Sequence, residues 1–303
     1  MISVQNYTDP YFQQVLDLLN QSKSFDSFTE PLLKEKMYDD PTWNPEHTWM
    51  ALHKSKVIGF MQGVTRNIRG SKLGYIKLMA VHPEFRRQGI ASRLFELLEK
   101  QLSELQMEAL RIYDVPLNYF MPGIDPRYTP AVCFAEKMGF KKTGDAINMQ
   151  VDLMATDWDA SEKIAELKKA SIEIKRATLN DKEELFDFIS EDWMLWQNEL
   201  EMAYRFAQPA IFIARQNGRL KAFAAYEGNN QGTGWFGPMG THRDLRGKGV
   251  GNVLLYLCLS DMKHQGHTSA TIPWVAPIAF YSHYANAVID RVFWRYEKKL
   301  KNE

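Results

Sequence analysis

One turn of this chain is half glycine and has the spacing of a phosphate-binding loop. It reads Arg246-Gly247-Lys248-Gly249-Val250-Gly251 and lies between a predicted strand, 234–239, and a predicted apolar helix that runs to about His264. Glycines let the backbone pass close to a ligand, and the free N–H groups at the start of a helix converge on one point. Because such a point attracts anions, the turn predicts a phosphate site.

The same arrangement occurs 160 residues earlier in the chain. Arg86-Arg87-Gln88-Gly89-Ile90-Ala91 follows a predicted strand, 74–81, and precedes a long helix with apolar residues at helical spacing. The residues before the two turns also correspond, because Val81-His82-Pro83-Glu84-Phe85 aligns with Thr241-His242-Arg243-Asp244-Leu245. Two such turns in matching contexts predict a repeated unit rather than two unrelated charged turns.

Two other kinds of phosphate loop fit the second turn poorly. A Walker A loop needs Ser or Thr after its Lys and a Gly five residues before it, but Gly249 follows Lys248 and Arg243 occupies the upstream position. A dinucleotide-binding loop needs its third glycine three residues beyond the second, where this chain has Leu254. Neither nucleotide-binding class is therefore expected.

Both turns resemble the acyl-CoA loop of the GNAT acetyltransferases, whose pattern is (Q/R)-x-x-G-x-(G/A) after a strand. The run Ala131-x-x-Phe134-x-Glu136-Lys137-Met138-Gly139-Phe140 also resembles these enzymes, in the helix beside the sulfur end of the coenzyme. The resemblance implies an α/β fold with a mixed sheet, built from two tandem GNAT domains. It also implies an N-acetyltransferase that uses acetyl-CoA as acyl donor.

The residues that the resemblance assigns to coenzyme binding lie at the end of each loop strand and in each turn. They are Met239, Gly240, Thr241, Arg246, Gly247, Lys248, Gly249, Val250, Gly251 and Asn252 in the second half, and Met79, Ala80, Val81, Arg86, Arg87, Gln88, Gly89, Ile90 and Ala91 in the first.

Composition indicates a globular protein of two domains. The 303 residues are 45% hydrophobic and 24% charged. Because 37 Lys and Arg balance 37 Asp and Glu, the chain has no net positive charge that would attract nucleic acid or an anionic membrane. Cys133 and Cys258 fall in predicted helices among apolar neighbours, which is typical of reduced thiols in a cytoplasmic protein. No apolar stretch has the length of a membrane helix, and the chain begins as a strand, so we expect a cytoplasmic protein without a membrane partner.

The predicted elements repeat their order along the chain. Residues 1–155 form an N-terminal GNAT domain, 156–170 a helical linker, and 171–303 a C-terminal GNAT domain. Each half begins with a strand and helices, continues with a hairpin and then enters its glycine turn. The second hairpin turns at Asn217-Gly218, a strong turn signal. Repeats of this kind often diverge into one working and one supporting copy.

A tyrosine distinguishes the two halves. In GNAT enzymes the strand before the loop offers its N–H groups to the thioester oxygen, and a tyrosine in a later helix commonly protonates the departing sulfur. Counting back from Gly139, that place holds Ala135 in the first half, whereas the second half has Tyr281 there. We therefore expect Tyr281 to be the general acid of a catalytic second half, and the first half to be catalytically degenerate; the alternative is a core tyrosine.

The candidate base is Glu227, at the end of the strand beside the loop strand. It would relay the proton of the amine through water, although a carboxylate at a strand end is commonly a solvated turn residue. Asp290 is a second candidate, and Asp125 and Tyr128 lie in a long aromatic loop of the first half that could face an acceptor. A chain of water molecules alone would also serve if the amine is already neutral.

No metal site is expected from the seven histidines. His264 and His267 lack a third ligand at metal spacing, and His82 and His242 occupy equivalent turn positions that suggest a structural role.

The acceptor is expected to be a small primary amine. Trp193, Trp196, Trp235 and Trp274 fall in segments around the second acceptor groove, where indole faces could stack on a sugar or only anchor the core. The runs 274–281 and 291–296 resemble the C-terminal half of bacterial tandem enzymes that acetylate amino sugars, including glucosaminides. Polyamines, amino acids, aminoglycosides and protein N-termini are other acceptors, a non-catalytic acyl-CoA sensor or scaffold is the alternative of a different class, and the oligomeric state stays open.

Overall fold

The computed structural model describes residues 1–22 and 24–300, and their contacts divide the chain into two compact units. Unit 1 contains residues 1–146 and the last segment from Val292, and unit 2 contains residues 147–291. The chain passes between them within two strands, β6 (Lys141–Asp152) and β12 (Val288–Lys299). No helix among the described residues is long and apolar enough to cross a membrane.

Unit 1 is built on one mixed sheet. Its other elements are, in chain order, β1 (Ile2–Asn6), α1 (Phe12–Ser22), α2 (Glu30–Met37), β2 (Thr48–His53), β3 (Lys56–Ile68), β4 (Ser71–Val81), α3 (Ile90–Glu104), β5 (Ala109–Ile112) and α4 (Thr129–Lys137). Strands β1 to β4 pair antiparallel with their neighbours, and β4 pairs parallel with β5. The sheet continues through β12 to β6, so the predicted α/β class with a mixed sheet is confirmed.

Helix α3 packs on one face of this sheet because the strand beneath it is glycine-rich. A Cβ on Gly59 would lie 2.7 Å from Ile90, and a Cβ on Gly63 would lie 2.3 Å from Leu98. The apolar face predicted for this helix is buried, which confirms its amphipathic pattern. Its first residue is thereby fixed close to the end of β4, where the glycine turn lies.

Unit 2 repeats this order of elements. They are α5 (Ser161–Lys169), β7 (Ile172–Arg176), α6 (Lys182–Asp192), α7 (Gln197–Ala203), β8 (Ile211–Gln216), β9 (Arg219–Tyr226), β10 (Phe236–Thr241), α8 (Val250–His264), β11 (Ser269–Ile272) and α9 (Ile278–Ala285). Strands β7 to β10 form an antiparallel sheet, and β11 pairs with the second half of β6. Asn217 and Gly218 both have positive φ at the β8–β9 turn, as the sequence predicts.

The compact units divide the chain at other positions than the predicted boundaries at 155 and 171. Strand β12 pairs Glu297 with Arg111 of β5, so the end of the chain completes the sheet of unit 1. The second half of β6 pairs Met149 with Ile272 of β11, which assigns it to unit 2. The predicted linker contains α5, and Leu167 of this helix is buried in the core of unit 2.

Candidate functional site

The second glycine turn connects β10 to α8 through a 3-10 turn, Arg243–Leu245. Gly247 and Gly249 have φ angles of 77° and 84°, a region that favours glycine. The Arg246 Nε donates to the carbonyl oxygen of Thr241 at 3.2 Å, which holds the turn against the end of β10. The first N–H groups of α8 have no acceptor within the helix, so they form a cradle open to an anion.

The first turn has the same geometry between β4 and α3. Gly89 has a φ of 78°, and Arg87, which corresponds to Gly247, has a φ of 64°. The Arg86 Nε donates to the carbonyl oxygen of Val81 at 3.2 Å, the same bond that Arg246 makes. Imidazole Nδ1 atoms accept the N–H groups of Glu84 and Asp244, so the histidines at 82 and 242 cap their turns in both units. The repeat predicted from the sequence therefore extends to individual hydrogen bonds.

Both loop strands part from the strand that follows them in the fold. In unit 1, β4 and β5 pair only from Leu73 with Ala109 to Ile76 with Ile112. In unit 2, β10 and β11 approach at a single parallel bridge between Trp235 and Thr271. The described residues form no further ladder pairs between these strands, so the strand ends at 79–81 and 239–241 are separated from β5 and β11 before the glycine turns begin.

The residues of the second turn fit a phosphate-bearing coenzyme. A Cβ added to Gly247 would meet no atom within 4 Å, so the outer side of the turn is open. Asn252, in the first turn of α8, has a buried Oδ1 without a hydrogen-bond partner. The unpaired backbone amides at the start of α8 are the donor set that a diphosphate needs, whereas the Asn252 Oδ1 can only accept hydrogen bonds and adds no donor to that set.

The two units differ at the bulge in the loop strand. Both loop strands shift register against their neighbour, at Lys77 in unit 1 and between Phe236 and Met239 in unit 2. In unit 1 the bulge carries Lys77, whose side chain is fully buried. In unit 2 the position 160 residues later is Gly237, and a Cβ there would meet no atom within 4 Å. The space beside the bulge is thus open in unit 2 and occupied by a lysine in unit 1.

Lys77 belongs to a buried ion-pair network that the sequence analysis missed. Its Nζ lies 2.5 Å from Asp40 and donates to the Oδ1 of Asn118 at 3.1 Å. Arg66 makes a two-pronged contact with the same carboxylate and donates to the carbonyl oxygens of residues 116 and 117. The network ties the loop after β5 to the sheet of unit 1. Its charged members come from three separate segments of the chain, so no spacing in the sequence indicates the network.

The network depends on the negative charge of Asp40. Burial alone would raise the pKa of this carboxyl, but the charges of Lys77 and Arg66 outweigh it and hold the pKa at about 2. Burial lowers the pKa of Lys77 to about 7, against the raising effect of Asp40. Because the folded-state pKa of Asp40 lies below its ordinary value of 3.8, its stabilising contribution is present above pH 4 and is lost as the pH falls toward about 2.

Replacing Asp40 with Asn should lower the free energy of unfolding of unit 1 by about 3–5 kcal/mol at neutral pH, because Arg66 and Lys77 would stay buried without a carboxylate. Urea unfolding checks this value. Asp145→Asn is the control, since its ion pair with Lys142 is exposed and should change stability by less than about 1 kcal/mol. The difference between wild type and Asp40→Asn should shrink as the pH falls below 4; a difference independent of pH would contradict the charge-based account.

Tyr281 lies on α9 and is 8% exposed. Its ring packs edge-on against Phe236 of β10, with ring centroids 6.0 Å apart. Burial raises the pKa of its hydroxyl, so the phenol keeps its proton at neutral pH. Ala135 of α4 is fully buried, and its carbonyl oxygen accepts the N–H that closes the helix end, as that of Tyr281 does in α9. Unit 1 thus has a methyl group where unit 2 has a phenol.

Glu227 is 2% exposed and holds the turn that precedes β10. Its carboxylate accepts the backbone N–H groups of Gly232, of Gly234 at 2.7 Å and of Trp235 at 3.0 Å. The imidazole Nε2 of His267 lies 3.8 Å from the same carboxylate. Burial raises the pKa of Glu227, and the N–H donors only partly offset that effect.

The other candidate residues predicted from the sequence are exposed or make contacts of their own. Asp290 is exposed. Asp125 pairs with Arg127 at 2.6 Å, and the Tyr128 hydroxyl donates to Asp26 at 2.7 Å, so both serve loop contacts of unit 1. His264 bonds within α8 to Ser260. The described residues contain no group of three or more His, Cys, Asp or Glu that could hold a metal ion.

An aromatic pair lies beside β10 of unit 2. Trp193 and Trp196 stack with ring centroids 5.7 Å apart and an interplanar angle of 9°. A Cβ on Gly240 would lie 3.2 Å from the Trp193 ring, so glycine lets this indole pack directly on β10. Trp235 is buried in an anchoring position, whereas at Trp274 it is the backbone N–H that donates to the Oδ1 of Asn148.

The sequence of this chain matches a known protein family in each of its two halves. The sequence profile described as the acetyltransferase (GNAT) family matches residues 12–140 and 177–283. A search of curated proteins gave no match.

Solved structures share the fold of the whole chain. A GCN5-related glucosamine N-acetyltransferase region of a fungal multi-domain GH3 β-N-acetylglucosaminidase superposes with a TM-score of 0.82 at 17% identity, over 98% of this chain and 38% of that one. A GCN5-related N-acetyltransferase from Sphaerobacter thermophilus gives 0.72 at 14% identity, over 98% and 95% of the chains. A tandem GNAT protein from the clavulanic acid biosynthesis pathway gives 0.72 at 15% identity, over 99% and 98%. At these identities the likeness shows the fold, and this chain spans about two fifths of the fungal protein.

Proposed function

Because this chain belongs to the acetyltransferase (GNAT) family, whose members use acetyl-CoA, we propose that it transfers an acetyl group to the primary amine of a small molecule, with unit 2 as the catalytic copy. The observation that carries the choice of unit 2 is the bulge. Open space adjoins Gly237, whereas Lys77 and its ion-pair network fill the equivalent position of unit 1. In the proposal unit 1 is a supporting copy.

The proposed coenzyme site of unit 2 uses the backbone of residues 239–241 and the turn from Arg246 to Asn252. Acetyl-CoA would supply an activated acetyl thioester. The amides at the start of α8 would bind its diphosphate, and the strand end would donate to the thioester oxygen as negative charge develops there. Residues 79–81 and 86–91 form the corresponding, second coenzyme site in the proposal.

In the proposed reaction the amine nitrogen bonds to the thioester carbonyl carbon, and the carbon–sulfur bond breaks with its electron pair on sulfur. Tyr281 donates its phenolic proton to that sulfur, for which its raised pKa keeps it protonated. The attacking nitrogen loses a proton through water to Glu227, and proton exchange with water restores both side chains. The products are an N-acetyl amine and a free thiol.

Replacing Glu227 with Gln should lower the free energy of unfolding of unit 2 by about 1–3 kcal/mol, because an NH₂ group would face N–H donors. In its proposed role as base, the carboxyl stops working when protonated, so kcat/KM of wild type should fall as the pH drops through its raised pKa. The variant should lose that limb of the profile. Glu173→Gln, on the exposed face of β7, is the control. An unchanged limb would restrict Glu227 to holding the turn.

The proposed acceptor is an amino sugar. The stacked indoles of Trp193 and Trp196 offer an apolar face next to Gly240, and such faces bind the C–H surface of a sugar ring. The fungal region of similar fold is named a glucosamine N-acetyltransferase, which supports the same class of acceptor.

A panel of amines with acetyl-CoA tests the proposal through the release of free thiol. We expect turnover with glucosamine or a glucosaminide above that with polyamines, amino acids, aminoglycosides or a peptide N-terminus. Turnover only with another amine would reject the sugar and keep the transferase. Saturable binding of acetyl-CoA without thiol release across the panel would favour an acyl-CoA sensor.

A further inference from the structure

A lysine from α5 lies across the second glycine turn. A Cβ added to Gly249 would stand 2.6 Å from Lys163 Cε and 3.6 Å from its Nζ, so the side chain runs over the backbone of this residue. Gly89, the equivalent residue of the first turn, has no neighbouring atom within 4 Å of such a Cβ. Among the residues that the structure describes, an ammonium group from another helix therefore lies at the second turn and none lies at Gly89 of the first.

The ammonium of Lys163 is held in a contact that breaks readily. Its Nζ lies 2.7 Å from the Oε2 of Glu166, one turn further along α5. The side chains of Lys163 and Glu166 are 36% and 65% exposed, respectively, and ion pairs between such exposed groups contribute little to stability. A stronger anion at the turn can therefore take the lysine from the glutamate.

Helix α5 is anchored to the core of unit 2, so the backbone of Lys163 has a fixed position beside the turn. Leu167 of α5 is buried in the core of unit 2, and Ile164 packs against the same core. Lys163 precedes Ile164 and is half-buried, whereas Lys168 on the same helix is exposed. The sequence marks this segment only as a polar connector, and it gives no sign that one of its lysines reaches the turn.

We propose that Lys163 is a ligand of the coenzyme diphosphate in unit 2, exchanging the carboxylate of Glu166 for a phosphate oxygen. This rests on the proposed function, which puts acetyl-CoA at the turn. The N–H groups of α8 supply directional donors, and the ammonium supplies a full positive charge opposite them. Glycine is then favoured at position 249 both by the positive φ and by the space that Lys163 needs beside the backbone. Among the described residues no lysine from another helix lies over Gly89, so this contact is one that the coenzyme would gain in unit 2.

Calorimetric titration of the full chain with acetyl-CoA tests the proposal. Lys163→Ala should raise Kd roughly fivefold or more and weaken the dependence of Kd on salt, because one phosphate-facing charge is lost. Lys168→Ala, the matched control, should leave both unchanged. Glu166→Gln should lower Kd, because it frees the lysine and removes a negative charge near the diphosphate. S-acetylpantetheine, which has no diphosphate, should bind all four proteins equally.

Three results would overturn the inference. Equal Kd for wild type and Lys163→Ala would show that the ammonium does not reach the diphosphate. A lower Kd for Lys163→Ala would show that the lysine obstructs the turn instead of binding the diphosphate there. An equal loss of S-acetylpantetheine affinity would show that the effect is not on the phosphates. If wild type itself bound no acetyl-CoA, the proposed function would fail, which is a distinct outcome.

Discussion

Turnover should fall by about 10²- to 10³-fold at saturating acceptor when Tyr281 is replaced with Phe, because the thiolate would leave without a proton donor. The ring of Tyr281 packs on Phe236, and phenylalanine preserves that contact. The loss should therefore appear in kcat, with little change in the KM of either substrate or in thermal stability. Initial rates of thiol release measure it.

Tyr284→Phe is the matched control for this experiment. Tyr284 lies on the same helix, and the contact recorded for it with Tyr256 uses its backbone oxygen, which the substitution leaves in place. We expect wild-type kcat from it. A Tyr281→Phe enzyme with unchanged kcat would remove the assignment of the general acid and leave Tyr281 as a core residue.

Acetyl-CoA affinity at unit 2 should fall by about 100-fold or more when Gly249 is replaced with Val. Its φ of 84° is unfavourable for a β-branched residue, and the new Cβ would displace Lys163. The first amides of α8 would then lose their common direction, and each charge-assisted hydrogen bond to phosphate is worth about 1.5–3 kcal/mol. Calorimetry in a Gly89→Val background isolates the heat of unit 2.

Gly218→Val controls for backbone strain. Gly218 has a φ of 79° in the β8–β9 turn and, like Gly247, no neighbour within 4 Å of an added Cβ. The substitution should cost stability but leave coenzyme affinity unchanged. If Gly249→Val bound acetyl-CoA as tightly as Gly218→Val, the turn at α8 would not be the diphosphate site.

Local signals account for the part of this fold that the sequence predicts. The turns at Arg86 and Arg246, the Asn217-Gly218 hairpin and the amphipathic face of α3 each depend on residues within a few positions of one another. The segment after α6 is divided into a 3-10 turn at Met194–Trp196 and α7, and Trp193 at its start packs on Gly240 of β10. Tertiary contact there overrides local preference.

Long-range contacts account for the rest. The pairing of β12 with β5 joins residues nearly two hundred positions apart, and the predicted boundaries put them in different halves. The network of Asp40, Arg66 and Lys77 draws one member from each of three segments, so no spacing rule reveals it. Lys163 reaches Gly249 only because α5 is anchored by Leu167. In each case the contact depends on the tertiary structure and not on residues that are close in sequence.

The most direct test of the account is a crystal structure of the wild-type chain grown with acetyl-CoA. We expect the diphosphate to accept hydrogen bonds of about 3 Å from the amides at the start of α8, with the thioester directed along the gap beside β10. A coenzyme bound with its diphosphate away from residues 246–252, or no coenzyme in unit 2 at saturating concentration, would contradict it.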